Sequence, residues 1–204
     1  ADSGHPVPVV THSSGNHGQA VACAANMLGR SAYVVIPRNA PAVKIAAPCL
    51  YGAQVVQCGP TMAERIAAAE AIVKRVGGIL LPCATSLDVF AGQGTIALEL
   101  HAQVQDLDAI IAPVGCGSLI SGIAVAAKSL NPGIRVIGVE PVAGNDAARS
   151  FKAGYHIQTA DAPETIADGL RAPISALAWT VVSTLVDAIL TVSEQEIVRA
   201  TKLV

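Results

Sequence analysis

Short runs of β-branched and aliphatic residues alternate along the chain with Ala-rich stretches whose apolar positions recur at helical spacing. That order predicts strands near 7–10, 33–36, 54–57, 79–81, 109–112 and 135–139. Between them it predicts helices near 17–28, 43–50, 61–76, 89–104 and 119–130. From about Asn145 onward the pattern gives mainly helix and loop, with one more apolar strand at 188–192. Alternation of this kind implies crossover units and parallel sheets, an α/β fold. Gly29, Gly52 and Gly77-Gly78 stop three of the helices, and Asn131-Pro132-Gly133 stops another, since Pro cannot continue a helix. The stretch 82–86 is the expected seam between a small lobe, 1–83, and part of a large lobe, 84–204.

Composition narrows the function classes. Hydrophobic residues are 52% and charged ones 14% of the 204 positions, which suits a well-buried body. A net charge of -2 with scattered Lys and Arg gives no reason to expect nucleic acid. Every apolar stretch is broken by Gly, Pro or charge, so no membrane span is expected, and no signal peptide opens the chain. Cys23, Cys49, Cys58, Cys83 and Cys116 form no CxxC pair, and reduced thiols in the cytoplasm are the simplest reading.

Three segments carry candidate chemistry. Thr11 to Gln19 crowds Ser13, Ser14, Gly15, Asn16 and His17 into a strand-to-helix turn, where backbone N–H groups can meet a carboxylate. The alternative is an ordinary polar helix cap. Gly115, Cys116, Gly117, Ser118 and Leu119 again follow a buried strand and open a helix, a geometry that suits a phosphate. This turn lacks both the Walker lysine and the third glycine of GxGxxG, which argues against a nicotinamide-binding domain. Glu140, Gly144 and Asp146 lie within E-P-V-A-G-N-D at a strand end, where two carboxylates and a carbonyl can converge on a hard cation or simply form a solvated acidic turn.

SSGNHGQA, APAVKIAA, YGAQVV, AGQGTIALE, PVGCGSLISG, GVEP and PETIADG follow one another in the order found in the serine racemase and threonine dehydratase family. Across nearly all of its length the chain resembles that family, and Ser13-Ser14 resembles its racemase and hydroxyaspartate-lyase branch. The resemblance implies the two-lobed α/β fold of type II pyridoxal-phosphate enzymes, with parallel or mixed sheets covered by helices on both faces. It implies pyridoxal 5'-phosphate as cofactor, serine or threonine as substrate, and dehydration or racemisation as the reaction. A homodimer is expected of the intact enzyme.

By resemblance, Ser13, Ser14, Gly15, Asn16 and His17 hold the substrate carboxylate, and Asn16 also meets the cofactor ring hydroxyl. Gly115, Cys116, Gly117, Ser118 and Leu119 take the cofactor phosphate, and Gly169 lies beside the ring. Ser14 is the expected acid/base on the face opposite the cofactor lysine. Glu140, Gly144 and Asp146 match positions that bind magnesium or calcium in the racemase branch.

Several features depart from the family pattern. The cofactor lysine sits in a motif resembling S-F-K-x-R-G upstream of the first strand, and nothing before Val7 matches it. Ser150-Phe151-Lys152 looks similar but lacks the Arg-Gly and falls on what should be an exposed helix. A glycine-rich motif carrying the serine for the pyridine nitrogen is also not found, so the chain is expected to be a central fragment, inactive by itself. The phosphate turn reads GCGS where four glycines are usual. Ala84 replaces a larger residue near the cofactor, and Ala172 replaces a racemase serine, a change that leans toward dehydratase. A non-catalytic remnant that keeps the fold is the competing reading.

Overall fold

In the computed structural model, which describes residues 6–159 and 163–204, β1 (Val9–His12) runs parallel to β2 (Ala32–Pro37), with Val9 opposite Ala32 and His12 opposite Val35. β3 (Gln54–Cys58) and β4 (Ile79–Leu80) complete a four-stranded sheet in the order β3-β2-β1-β4. Its first strand starts two residues later than the pattern predicts, because Pro6 and Pro8 carry no N–H for the ladder. The sheet belongs to one of two compact units, Ala1–Cys83.

Alternation along β2 sends side chains to both faces. Val34 and Ile36 pack with Ala22 and Ala25 of α1 (Asn16–Met27), while Val35 packs with Val10 and with Ala69 and Ile72 of α3 (Met62–Val76). Val10, Val34, Val35 and Ile36 are fully buried, and each such side chain contributes roughly 1.5–3 kcal/mol. α3 opens on a reciprocal cap in which Thr61 accepts from the Glu64 amide and Glu64 accepts from the Thr61 amide. The helix expected at 43–50 is instead a short α2 (Ala42–Ala46) that tightens into a 3₁₀ turn, Ala47–Tyr51. Buried Pro48 causes the change, since it has no N–H for the α-helical ladder.

The second unit, Ala84–Val204, holds a three-stranded parallel sheet of β5 (Ala109–Pro113), β6 (Arg135–Pro141) and β7 (Ala188–Val192), in that order. α4 (Leu87–Gln103) and α5 (Ser118–Leu130) pack together, and α6 (Asp146–Ala153), α7 (Ala176–Leu185) and α8 (Glu194–Thr201) follow. Ile110, Ala112 and Val136 of the sheet meet Ile120, Ile123 and Ala124 of α5 and Ala178 and Val182 of α7 in one core. At its edge Asp187 accepts from the Val136 amide and pairs with Lys128 at 2.8 Å, which holds its carboxyl below the usual carboxylate range.

Among the described residues no helix is long and apolar enough to cross a membrane. The five cysteines form no disulfide. Lys152 is exposed on α6.

Candidate functional site

The chain leaves β1 for β2 and β3 on one side of the first sheet and returns to β4 on the other. The turn after β1 therefore sits at the carboxyl ends of the strands where their order reverses, the place where open parallel sheets receive ligands. It contains Ser13, Ser14, Gly15, Asn16 and His17.

Local chemistry shapes this turn. The Ser13 hydroxyl accepts from the Gly15 amide at 3.2 Å, closing a tight turn. Gly15 is the N-cap of α1, and no side chain caps the helix, so its first amides are left for an acceptor outside it. Residue 18 must be glycine, because a Cβ there would run into the Ser13 carbonyl and meet Val34 Cγ1 at 3.0 Å. His17 Nε2 lies 3.0 Å from the Leu81 carbonyl and must carry the proton it donates, while the Thr11 hydroxyl reaches the same carbonyl at 2.8 Å. Those two contacts tie the turn to the end of β4. Residue type alone carries no sign of this role for Thr11 and Leu81, because they pair across 70 residues. Ser14 is half-buried and Asn16 is exposed. Burial holds His12 below the ordinary histidine pKa, helped by the neighbouring charges of His17 and Arg65.

The second turn, in the other unit, leads from β5 into α5. Gly117 is the N-cap of α5 at φ 89°, and no side chain caps this helix either. Only glycine fits there, since a Cβ would come within 2.5 Å of Ala178 Cβ as well as being forced into the left-handed region. A helix start that no side chain caps and a cradle that a side chain would fill fit a phosphate group. Cys116 and Ser118 face each other, sulfur to hydroxyl, at 3.3 Å. The Cys116 carbonyl accepts from the amide of Ser175, the N-cap of α7, so the thiol loop is braced from behind. Leu119 is half-buried in the first turn of α5. Gly169 is brought to the same turn, because a Cβ on Gly115 would meet the Gly169 carbonyl at 3.3 Å.

Glu140, Gly144 and Asp146 come from β6, the 3₁₀ turn Val142–Gly144 and the first residue of α6. They are brought close but not left bare. Glu140, 1% exposed, accepts from the amides of Ala147 at 3.2 Å and Ala148 at 2.7 Å, and Asp146 accepts from the Ile174 amide at 2.8 Å. Burial, with the Asp146 charge adding to it, pushes the Glu140 carboxyl up to about 7. Gly144 and Asp146 line one small cavity with Arg149 and Thr159, and Glu140 does not reach it. The Thr159 hydroxyl is buried there without a partner among the described residues. No group of three or more His, Cys, Asp or Glu gathers among the described residues.

Comparison with known proteins identifies the family and the fold. A family model described as pyridoxal-phosphate dependent enzyme matches residues 1–204. The chain is 46% identical to serine racemase of Arabidopsis thaliana over 195 residues, 96% of this chain and 59% of that protein. The solved structure of maize serine racemase matches with a TM-score of 0.92 at 44% identity, covering 96% of this chain and 59% of that one. A crystal structure of serine racemase from Dictyostelium discoideum matches with a TM-score of 0.87 at 43% identity, covering 96% and 62%. A threonine deaminase crystal structure matches with a TM-score of 0.91 at 41% identity, covering 97% and 65%. The chain thus spans about three fifths of the length of these relatives.

Proposed function

Because the chain belongs to the pyridoxal-phosphate dependent enzyme family, we propose that the protein acts on a small hydroxy amino acid, serine or threonine. It removes the α-proton, then either eliminates water and ammonia to leave a 2-oxo acid or returns a proton to give the opposite serine enantiomer. Bound pyridoxal 5'-phosphate supplies the electron sink that makes the α-proton removable. The amides of Gly115, Cys116, Gly117, Ser118 and Leu119 hold its phosphate, Asn16 holds its ring hydroxyl, and Gly169 leaves room beside the ring. Ser13, Ser14, Gly15, Asn16 and His17 receive the substrate carboxylate at the uncapped start of α1. The observation that carries this reading is the pair of uncapped helix starts, at Asn16 and Ser118, each fed by a parallel strand through a turn of small residues.

Ser14 favours the racemase outcome, since racemisation needs a proton donor on each face of the α-carbon and the half-buried hydroxyl offers one. Ala172 favours elimination, because it offers no hydroxyl to the substrate. The protein expressed from its complete reading frame is incubated with L-serine and L-threonine, with and without added cofactor, and 2-oxo acid and D-serine are quantified. Cofactor-dependent formation of either supports the proposal, and formation of neither by cofactor-loaded protein removes it.

The proposal extends to a divalent cation, magnesium or calcium, at Glu140, Gly144 and Asp146. Its support is the cavity shared by Gly144 and Asp146 and the repulsion between two neighbouring buried carboxylates that a cation would relieve. A homodimer in the cytoplasm completes it, to be checked by sedimentation of the purified protein and by cell fractionation.

A further inference from the structure

The turn that carries Gly169 is built almost entirely by three side chains that have no place in the proposed chemistry. Glu194, the first residue of α8, accepts from the Ile166 amide at 2.9 Å. The Thr165 hydroxyl bears on the same carboxylate and also accepts from the Ala167 amide at 3.1 Å. Arg171 donates to the Thr165 carbonyl through Nε at 3.1 Å and through a terminal nitrogen at 2.7 Å, and its charge acts on Glu194. Inside this clamp the 3₁₀ turn Asp168–Leu170 closes through the Leu170 amide on the Ala167 carbonyl at 2.8 Å. The far side of the turn then touches the β5–α5 turn, where a Cβ on Gly115 would meet Leu170 Cα at 3.2 Å and the Gly169 carbonyl at 3.3 Å.

We propose that Glu194 is a positioning residue which, through Thr165 and Arg171, presses the Gly169 turn against Gly115 and so fixes the backbone amides that receive the cofactor phosphate. Thr165 is buried and one Glu194 oxygen is enclosed without a hydrogen-bond partner among the described residues, while Arg171 is exposed. The helix that bears Glu194 has its own cap: Ser193 accepts from the Glu196 amide and Glu196 from the Ser193 amide. Removing the Glu194 carboxylate therefore leaves α8 intact and frees only the Ile166 amide and the Thr165 hydroxyl. The effect on ligand passes through two turns in contact, and positioning shells of this kind act by holding ligand groups in place.

The inference rests on the reading of 115–119 as a phosphate site, and the test separates the two. Dissociation constants for pyridoxal 5'-phosphate and for pyridoxal, which lacks the phosphate, are measured by absorbance titration of the unmutated protein, Gly117→Ala, Glu194→Ala, Glu194→Gln and Thr165→Val. Thermal melting of each variant is recorded alongside. Glu194→Ala is expected to weaken pyridoxal phosphate about tenfold, the scale on which loss of groups supporting ligand-holding residues is felt, with pyridoxal unchanged. Glu194→Gln, which keeps an acceptor for the Ile166 amide, restores most of the preference, and Thr165→Val falls between. General loss of stability would weaken both ligands together. An unchanged preference in Glu194→Ala, or Gln no better than Ala, overturns the inference. If Glu194→Ala does not fold, Gln and Thr165→Val decide, and a full preference in Thr165→Val overturns it. Should the unmutated protein show no preference for the phosphate, or Gly117→Ala keep it, the phosphate reading itself falls.

Discussion

Replacing Glu140 by Gln isolates the cost of keeping an ionised carboxyl at the end of β6. Glu140 is 1% exposed, and its carboxyl is raised from 4.5 to about 7 by burial, aided by the Asp146 charge and opposed by the Ala148 and Ala147 amides. A folded-state value above the unfolded one means that the native protein binds the extra proton between those two pH values. Stability is then greatest below about pH 4.5, falls as pH rises, and is fully reduced above about pH 7. A displacement of that size corresponds to about 3 kcal/mol, of which about 2 kcal/mol is lost between pH 5 and pH 8. His12 has the opposite sign, because a lowered histidine value makes the folded state gain stability as pH rises, so the difference between the two proteins is the quantity to follow. Urea unfolding at pH 5, 6, 7 and 8 in chelator measures it. Relative to the unmutated protein, Glu140→Gln should become more stable by about 2 kcal/mol on going from pH 5 to pH 8, after a constant loss for the Ala147 amide, which Gln cannot satisfy as a second acceptor. A pH-independent difference would show that Glu140 titrates normally and that its burial costs nothing.

Three further outcomes follow from the site. Ser14→Ala should suppress racemisation and reaction of D-serine by about tenfold or more while leaving dehydration of L-serine much less affected, since general acid/base groups contribute at least that much, and both rates measured on one preparation check it. Magnesium or calcium should raise the melting temperature more at pH 8 than at pH 5, and Asp146→Ala should remove the rise; scanning calorimetry decides. Gly18→Ala should destabilise by about 1–3 kcal/mol, the usual cost of overpacking, because its Cβ meets a backbone carbonyl that cannot rotate away, and urea unfolding at one pH measures that.

What was legible in the sequence was whatever repeats with a period. Strands such as 54–57 and helices such as 61–76 show their hydrophobic spacing and stop signals, and the structure places β3 and α3 within about a residue of them. Pro8 and Pro48 show where local chemistry overrides period: one delays a strand, the other turns α-helix into 3₁₀ turn. The candidate turns were legible as strand, small residues, helix, because that order needs no long-range information. Their bracing was not. Thr11 with Leu81, Cys116 with Ser175, and Asp146 with Ile174 are joined across long loops by backbone groups, which leave no mark on residue type. The acidic triad was legible as a composition but not as a geometry, because the α6 amides that take both oxygens of Glu140 are backbone groups and leave no mark on residue type.

Release of the α-hydrogen bears most squarely on the proposed chemistry, because racemisation and elimination share that step and a binding protein lacks it. L-Serine labelled with deuterium at the α-carbon is incubated with the protein expressed from its complete reading frame, loaded with pyridoxal phosphate, and the label appearing in water is followed by mass spectrometry or NMR. Washout that depends on the cofactor is expected, whichever product accumulates. Label retained at the α-carbon of serine, and likewise of threonine, while the cofactor is demonstrably bound would contradict the proposed function.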